Sequence, residues 1–157
     1  FIRDLFLRTA AFFPKLLSFL SFSYPWNYSN GIIDNNLYPN DVNGIIIPQP
    51  NLKLRSNDLP FDQYIGDEFA FLLFKGDRFF LEKIKSLPNM KIFNNNIFQV
   101  DENHIFNEDT DFFNWHNDKK LTAVIIKPDK HVYGAIKDSM KIENIEKLIN
   151  RLHNDLY

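Results

Sequence analysis

Residues 121–127 (LTAVIIK) run almost without polar interruption, and this run constrains the fold more than any other part of the chain. A strand wetted on one face alternates apolar and polar side chains, so an unbroken apolar run predicts a strand covered on both faces. The turn Pro128-Asp129-Lys130 follows and leads into a second strand at residues 131–136 (HVYGAI). Beyond it, Ile142, Ile145, Leu148, Ile149, Leu152 and Leu156 form one apolar stripe at helical spacing. The chain is therefore predicted to end on an amphipathic helix laid against a sheet.

The same patterning extends upstream. Residues 68–75 (EFAFLLFK) form a strand candidate, and residues 77–87 place Phe79, Phe80, Ile84 and Leu87 at helical spacing. Residues 91–100 are strand-like, interrupted by Asn94, Asn95 and Asn96, and residues 109–117 form a short helix that opens on acidic residues. The predicted order is β-α-β-α-β-β-α, an α/β domain with a mixed sheet. Its first three strands need helical crossovers, while the last two can meet through a tight turn. That is the thioredoxin-like arrangement, placed at residues 58–157.

Two further segments precede it. Residues 1–22 carry Ile2, Leu5, Phe6, Phe12, Phe13, Leu16, Leu17 and Leu20 at a mainly helical spacing that Pro14 should kink or split. Arg3, Asp4, Arg8 and Lys15 interrupt this segment, which argues against a membrane span or signal sequence. It begins on Phe1 with no polar lead-in, and reads as the helical end of a module cut from something longer. Residues 23–57 are rich in Asn, Pro, Tyr and Ser, with one short apolar run at Ile45, Ile46 and Ile47. They are read as a connector holding one strand at most, and a connector this long marks an interdomain crossing or a functional loop.

Several chemistries are excluded. With no cysteine among 157 residues, thiol catalysis, disulfides and Fe–S ligation are ruled out, and a reducing, cytoplasmic setting fits. The turn that carries C-x-x-C in a redox thioredoxin reads Lys75-Gly76-Asp77-Arg78-Phe79. A formal net charge of −2 with scattered Lys and Arg leaves no basic patch for nucleic acid. The five glycines, Gly31, Gly44, Gly66, Gly76 and Gly134, are too widely spaced for any G-x-G-x-x-G dinucleotide turn.

Three constellations invite a chemical reading. Asp101, Glu102, Glu108, Asp109, Asp111 and Asp118 lie near His104 and His116, but without the Gly-centred alternation of a calcium loop or an i, i+4 histidine pair. They are read as a solvated acidic loop and helix cap, with no metal ligands. Asp129, between Lys127 and Lys130 and close to His131, is read as turn chemistry in which the carboxylate satisfies its own backbone. Among the aromatics, Phe71, Phe79, Phe80, Phe112 and Phe113 fall at core spacing, whereas Tyr24, Trp26, Tyr28 and Tyr38 lie in the connector and are interface candidates.

Five phrases in order and spacing carry a resemblance. They are Arg3-Asp4-Leu5-Phe6 with Phe13-Pro14; Tyr24-Pro25 through Gly31; residues 44–50 (GIIIPQP); residues 59–72 (LPFDQYIGDEFAFL); and residues 123–134 (AVIIKPDKHVYG). In these the chain resembles the C-terminal part of FAD-dependent aromatic-ring hydroxylases of the 3-(3-hydroxyphenyl)propionate hydroxylase group, with Lys127 where that group usually has Arg. The resemblance implies a parent enzyme that binds FAD, takes hydride from NADH or NADPH and hydroxylates a phenolic ring. It implies that residues 1–22 close the flavin and substrate module, and that residues 58–157 pack against that missing N-terminal module or against a second subunit. No catalytic, cofactor-binding or metal-binding residue is assigned to this chain. The alternative is a stand-alone, non-catalytic binding or dimerisation module of thioredoxin-like fold.

Overall fold

The computed structural model describes residues 32–34, 41–53, 58–100, 110–138 and 140–157. The predicted helical segment at residues 1–22, the connector aromatics Tyr24, Trp26, Tyr28 and Tyr38, and Asp101, Glu102, His104, Glu108 and Asp109 lie outside them.

In chain order the elements are β1 (Asn51–Lys53), β2 (Asp58–Pro60), α1 (Phe61–Ile65), β3 (Ala70–Leu73), α2 (Arg78–Lys85), a 3-10 turn (Met90–Phe93), β4 (Ile97–Gln99), α3 (Thr110–Asp118), β5 (Leu121–Ile126), β6 (Val132–Lys137) and α4 (Ile142–Leu156). β1 and β2 pair antiparallel as a small separate ribbon. The other four strands form a mixed sheet in the order β4-β3-β5-β6, with β3 parallel to β4 and antiparallel to β5, and β5 antiparallel to β6. The protein is an α/β fold, and from β3 onward it follows the order expected from the sequence.

Every residue of β5 is buried, as its apolar run requires. On one face of the sheet Phe71, Leu73, Ala123, Ile125, Tyr133 and Ile136 meet Leu81 and Ile84 of α2, Met90 and Phe93 of the 3-10 turn, and Ile145, Leu148, Ile149 and Leu152 of α4. On the other face Ala70, Leu72, Phe98, Val124, Ile126 and Val132 meet Phe61 and Ile65 of α1, Phe112 of α3, and Val42 and Ile47. All four α4 residues are fully buried, and each such aliphatic side chain contributes about 1.5–3 kcal/mol. α2 starts where Asp77 accepts a hydrogen bond from the Phe80 amide at 2.7 Å, and Lys83 and Lys85 lie in its last turn.

Two local expectations are corrected. Residues 91–100 do not form one strand: the first part is the 3-10 turn, flanked by Asn89 and Asn94 at φ 66° and 47°, and only Ile97–Gln99 pairs. Asparagine is among the residues that most readily take a positive φ, and here the side chains bond across the fold, Asn89 Nδ2 to Asn150 Oδ1 and Asn94 Nδ2 to Glu68 Oε1, both at 3.0 Å. In the connector, read as holding one strand at most, Ile46 makes an isolated bridge to His131 and the strand lies at Asn51–Lys53. Pro48 and Pro50 lack the N–H groups that would extend a ladder there. Finally, Phe79 is not core. It is 68% exposed, with Lys83 Nζ 4.6 Å from its ring centroid.

The β5–β6 ladder contains two register shifts. Between the pairs Ile125↔Gly134 and Ile126↔Val132, Tyr133 is the extra residue. Such a bulge points two successive side chains to one side. Tyr133 joins the α4 face, and a Cβ on Gly134 would stand 2.6 Å from Leu148 Cδ1 and 3.2 Å from Asp34 Cβ. Only glycine lets the helix and Asp34 approach this closely.

Candidate functional site

β6 is a border strand of the four-stranded sheet, but its outer main chain is not bare. The Asp34 and Gly44 amides donate to the Tyr133 and Val132 carbonyls at 2.9 and 2.7 Å, and the Val132 amide donates to the Ile45 carbonyl at 2.8 Å. The Ile47 amide reaches the Lys130 carbonyl at 3.3 Å. Parts of the expected connector thus lie along β6 as a strap.

Polar side chains fix this strap. Asp34 is only 3% exposed, and its Oδ1 accepts from Arg151 of α4 at 2.9 Å. Asn43 donates from Nδ2 to the Asp34 carbonyl at 2.5 Å. Beside them the Tyr133 hydroxyl donates to Asp155 Oδ2 at 2.7 Å. Burial pushes the Tyr133 phenol well above its ordinary range, and the Asp155 hydrogen bond adds to the rise. Further along, Asp41 pairs with Lys137 of β6 at 2.5 Å and with Lys119 after α3 at 3.4 Å. Burial raises the Asp41 carboxyl, but the Lys137 and Lys119 ammonium groups outweigh it and hold that group below the usual carboxylate range.

This is holding chemistry. The carboxylates of Asp34 and Asp41 are matched to cations, and the buried phenol stays protonated. A buried pair of this kind joins residues 117 positions apart in sequence, where loss of one partner would strand a charge.

A separate open groove of about 980 Å3 runs beneath the 3-10 turn, bounded by Lys85, Asn89, Lys91, Asn95, His153 and Tyr157. Lys85 already pairs with Glu82 at 3.1 Å, and the His153 ring packs 5.0 Å from the Tyr157 ring.

The residues weighed from sequence fall as follows. Asp129 Oδ1 accepts from the His131 amide at 3.1 Å and Oδ2 from Lys127 at 3.0 Å, the self-satisfied turn expected of it. Burial raises its carboxyl, and these two donors more than reverse that. His116 packs against Phe74, ring centroids 4.6 Å apart. Among the described residues no group of three His, Asp or Glu could hold a metal ion, and no helix is long and apolar enough to cross a membrane. The turn at residues 75–79 supplies the Asp77 cap and a Gly76 whose added Cβ would lie 2.8 Å from Phe80 Cδ1. Sequence reading missed Asp34, Asp41, Asn43 and Arg151. Each looks like an ordinary surface polar residue, and nothing local marks the long-range pairs.

No family model and no curated protein matches the chain. Solved structures do. Aklavinone-11 hydroxylase, in a ternary complex with FAD and aklavinone, superposes with a TM-score of 0.53 at 9% identity, over 83% of this chain and 25% of that one. The anhydrotetracycline hydroxylase OxyS from Streptomyces rimosus superposes with a TM-score of 0.52 at 12% identity, over 96% of this chain and 28% of that one. At these identities the likeness is one of fold, and this chain spans 25% and 28% of those two lengths.

Proposed function

We propose that this chain is the C-terminal portion of an FAD-dependent, NAD(P)H-using monooxygenase that hydroxylates a phenolic or aromatic substrate, of the 3-(3-hydroxyphenyl)propionate hydroxylase type. In this reading residues 1–22 end the flavin and substrate module, residues 23–57 connect, and residues 58–157 form a thioredoxin-like domain that packs against that module or a second subunit in the cytoplasm. The observation that carries it is the fold likeness to two hydroxylases over most of this chain. The strand order β4-β3-β5-β6, with one parallel and two antiparallel pairs, fits the thioredoxin-like part. The polar anchors at Asp34 and Asp41 hold segments together, which suits a packing role.

FAD belongs to the missing module in this proposal. The glycine spacing offers no turn to seat its pyrophosphate at a helix N-terminus, so the residues present do not fit a dinucleotide site. Two experiments test the reading. Upstream coding sequence should contain a G-x-G-x-x-G turn in frame, and its absence from the native gene would sink the proposal. The full chain mixed with FAD and passed through gel filtration should emerge colourless, whereas retained flavin would reveal a site in these residues.

The rival reading, a stand-alone binding or dimerisation module, draws on the sheet being covered on both faces by elements of this same chain. It requires a native gene that starts near Phe1, which the same upstream read would reveal.

A further inference from the structure

The strap on β6 is held in two different ways. Around residues 42–47 the grip is apolar: Val42 and Ile47 are 1% and 2% exposed and belong to the core beside Val132 and Phe61. Three backbone hydrogen bonds accompany them, from Gly44 and Ile47 to β6 and its turn, and from Val132 back to Ile45. At Asp34 the balance differs. One backbone bond ties it to Tyr133, Ile33 beside it is buried, and its carboxylate is clasped by Arg151 from α4, whose side chain is 36% exposed. The Gly134 notch admits the Asp34 side chain, so the clasp depends on an ion pair seated in a space left by a missing Cβ.

We infer that residues 32–34 form a charge-locked clasp on β6 and α4 that opens on its own, while residues 42–47 stay docked as a permanent part of the sheet. The Asp34–Arg151 pair is the lock, and Asn43, bonded to the Asp34 carbonyl, joins the movable end to the fixed one. The physical ground is the unequal cost of opening. Releasing the rear half uncovers Val42 and Ile47 and breaks three backbone hydrogen bonds, whereas releasing the front half uncovers one core side chain, Ile33, breaks one backbone bond and rehydrates the Asp34 carboxylate. The clasp therefore governs how firmly the chain arriving from upstream is gripped. It rests on contacts within this chain and stands whatever the upstream module proves to be.

Amide hydrogen exchange on the full chain, read residue by residue, tests it. In Asp34→Asn and in Arg151→Gln the Asp34-position amide should exchange at least about tenfold faster than in the wild type, the scale expected when one partner of a buried pair is lost. The Gly44 and Val132 amides should change by less than about threefold, as should the Phe71 and Phe74 amides inside the sheet. Acceleration of all five by one common factor would mean global destabilisation and would overturn the clasp, as would an unchanged position-34 amide. If Asp34→Asn does not fold, Arg151→Gln and Arg151→Lys decide alone, because Arg151 lies at the surface end of the pair. Arg151→Lys should fall between wild type and Arg151→Gln, since a single ammonium keeps the charge without the guanidinium fork.

Discussion

Tyr133 shows what a single residue can be made to do by its surroundings. Its phenol is wholly buried, donates to Asp155 and is pushed well above an ordinary value of 10.0 by burial first and by the neighbouring carboxylates next. The folded protein thus holds this proton more tightly than the unfolded chain. Its contribution is complete below about pH 10 and declines as pH rises above that value. Tyr133→Phe should cost roughly 1 kcal/mol near neutrality, the net worth of one hydrogen bond. It should also lose less stability than the wild type between about pH 8 and about pH 11, measured by urea titration at both. Equal losses in the two proteins would refute the assignment. None of this environment was legible in the sequence, where Tyr133 is one aromatic in a strand. Burial of its ring could be expected from the strand pattern, but its partner Asp155 sits on a helix whose rotation about the sheet no local pattern specifies.

At the scale of the element, legibility followed the length and regularity of each pattern. β5 is an unbroken apolar run of six residues and α4 a helical stripe of fifteen, and both fell where the sequence placed them. The ribbon of β1 and β2 and the five-residue α1 are too short to display a period. In residues 91–100 three asparagines hide a change of backbone inside an apolar run. Two changes probe the element level. Asp77→Ala removes the side-chain acceptor of the Phe80 amide and should lower stability by about 0.5–2 kcal/mol, read as an earlier urea midpoint with an unchanged slope. Ile125→Asp buries an unpaired carboxylate in the central β5, opposite Phe71 and Gly134, and should leave the chain unfolded by circular dichroism. A cooperative melt of that variant near the wild-type temperature would contradict the interior position of β5 between β3 and β6.

For the molecule as a whole, the sequence made the layered α/β plan readable, because a doubly buried strand forces cover on both faces. It did not reveal that residues 42–47 belong to that cover, since their short apolar run is set between Asn43-Gly44 and Pro48 and Pro50, inside a polar connector. Tertiary position alone turns Val42 and Ile47 into core. The charged anchors were hidden for the same reason, with Asp34 and Arg151 separated by 117 positions. The strap has one more consequence. A border strand with free N–H and C=O groups is a template on which foreign strands can grow, and proteins guard against this with charges, prolines or covering segments. In this fold the guard is supplied by chain that looks dispensable. A version of the protein beginning at Pro48 would keep the residues of every strand and helix among the described residues yet lose Val42 and Ile47 and expose the Val132 and Tyr133 main chain. It is expected to sediment as aggregates, detected by light scattering, at concentrations where the full chain stays dispersed.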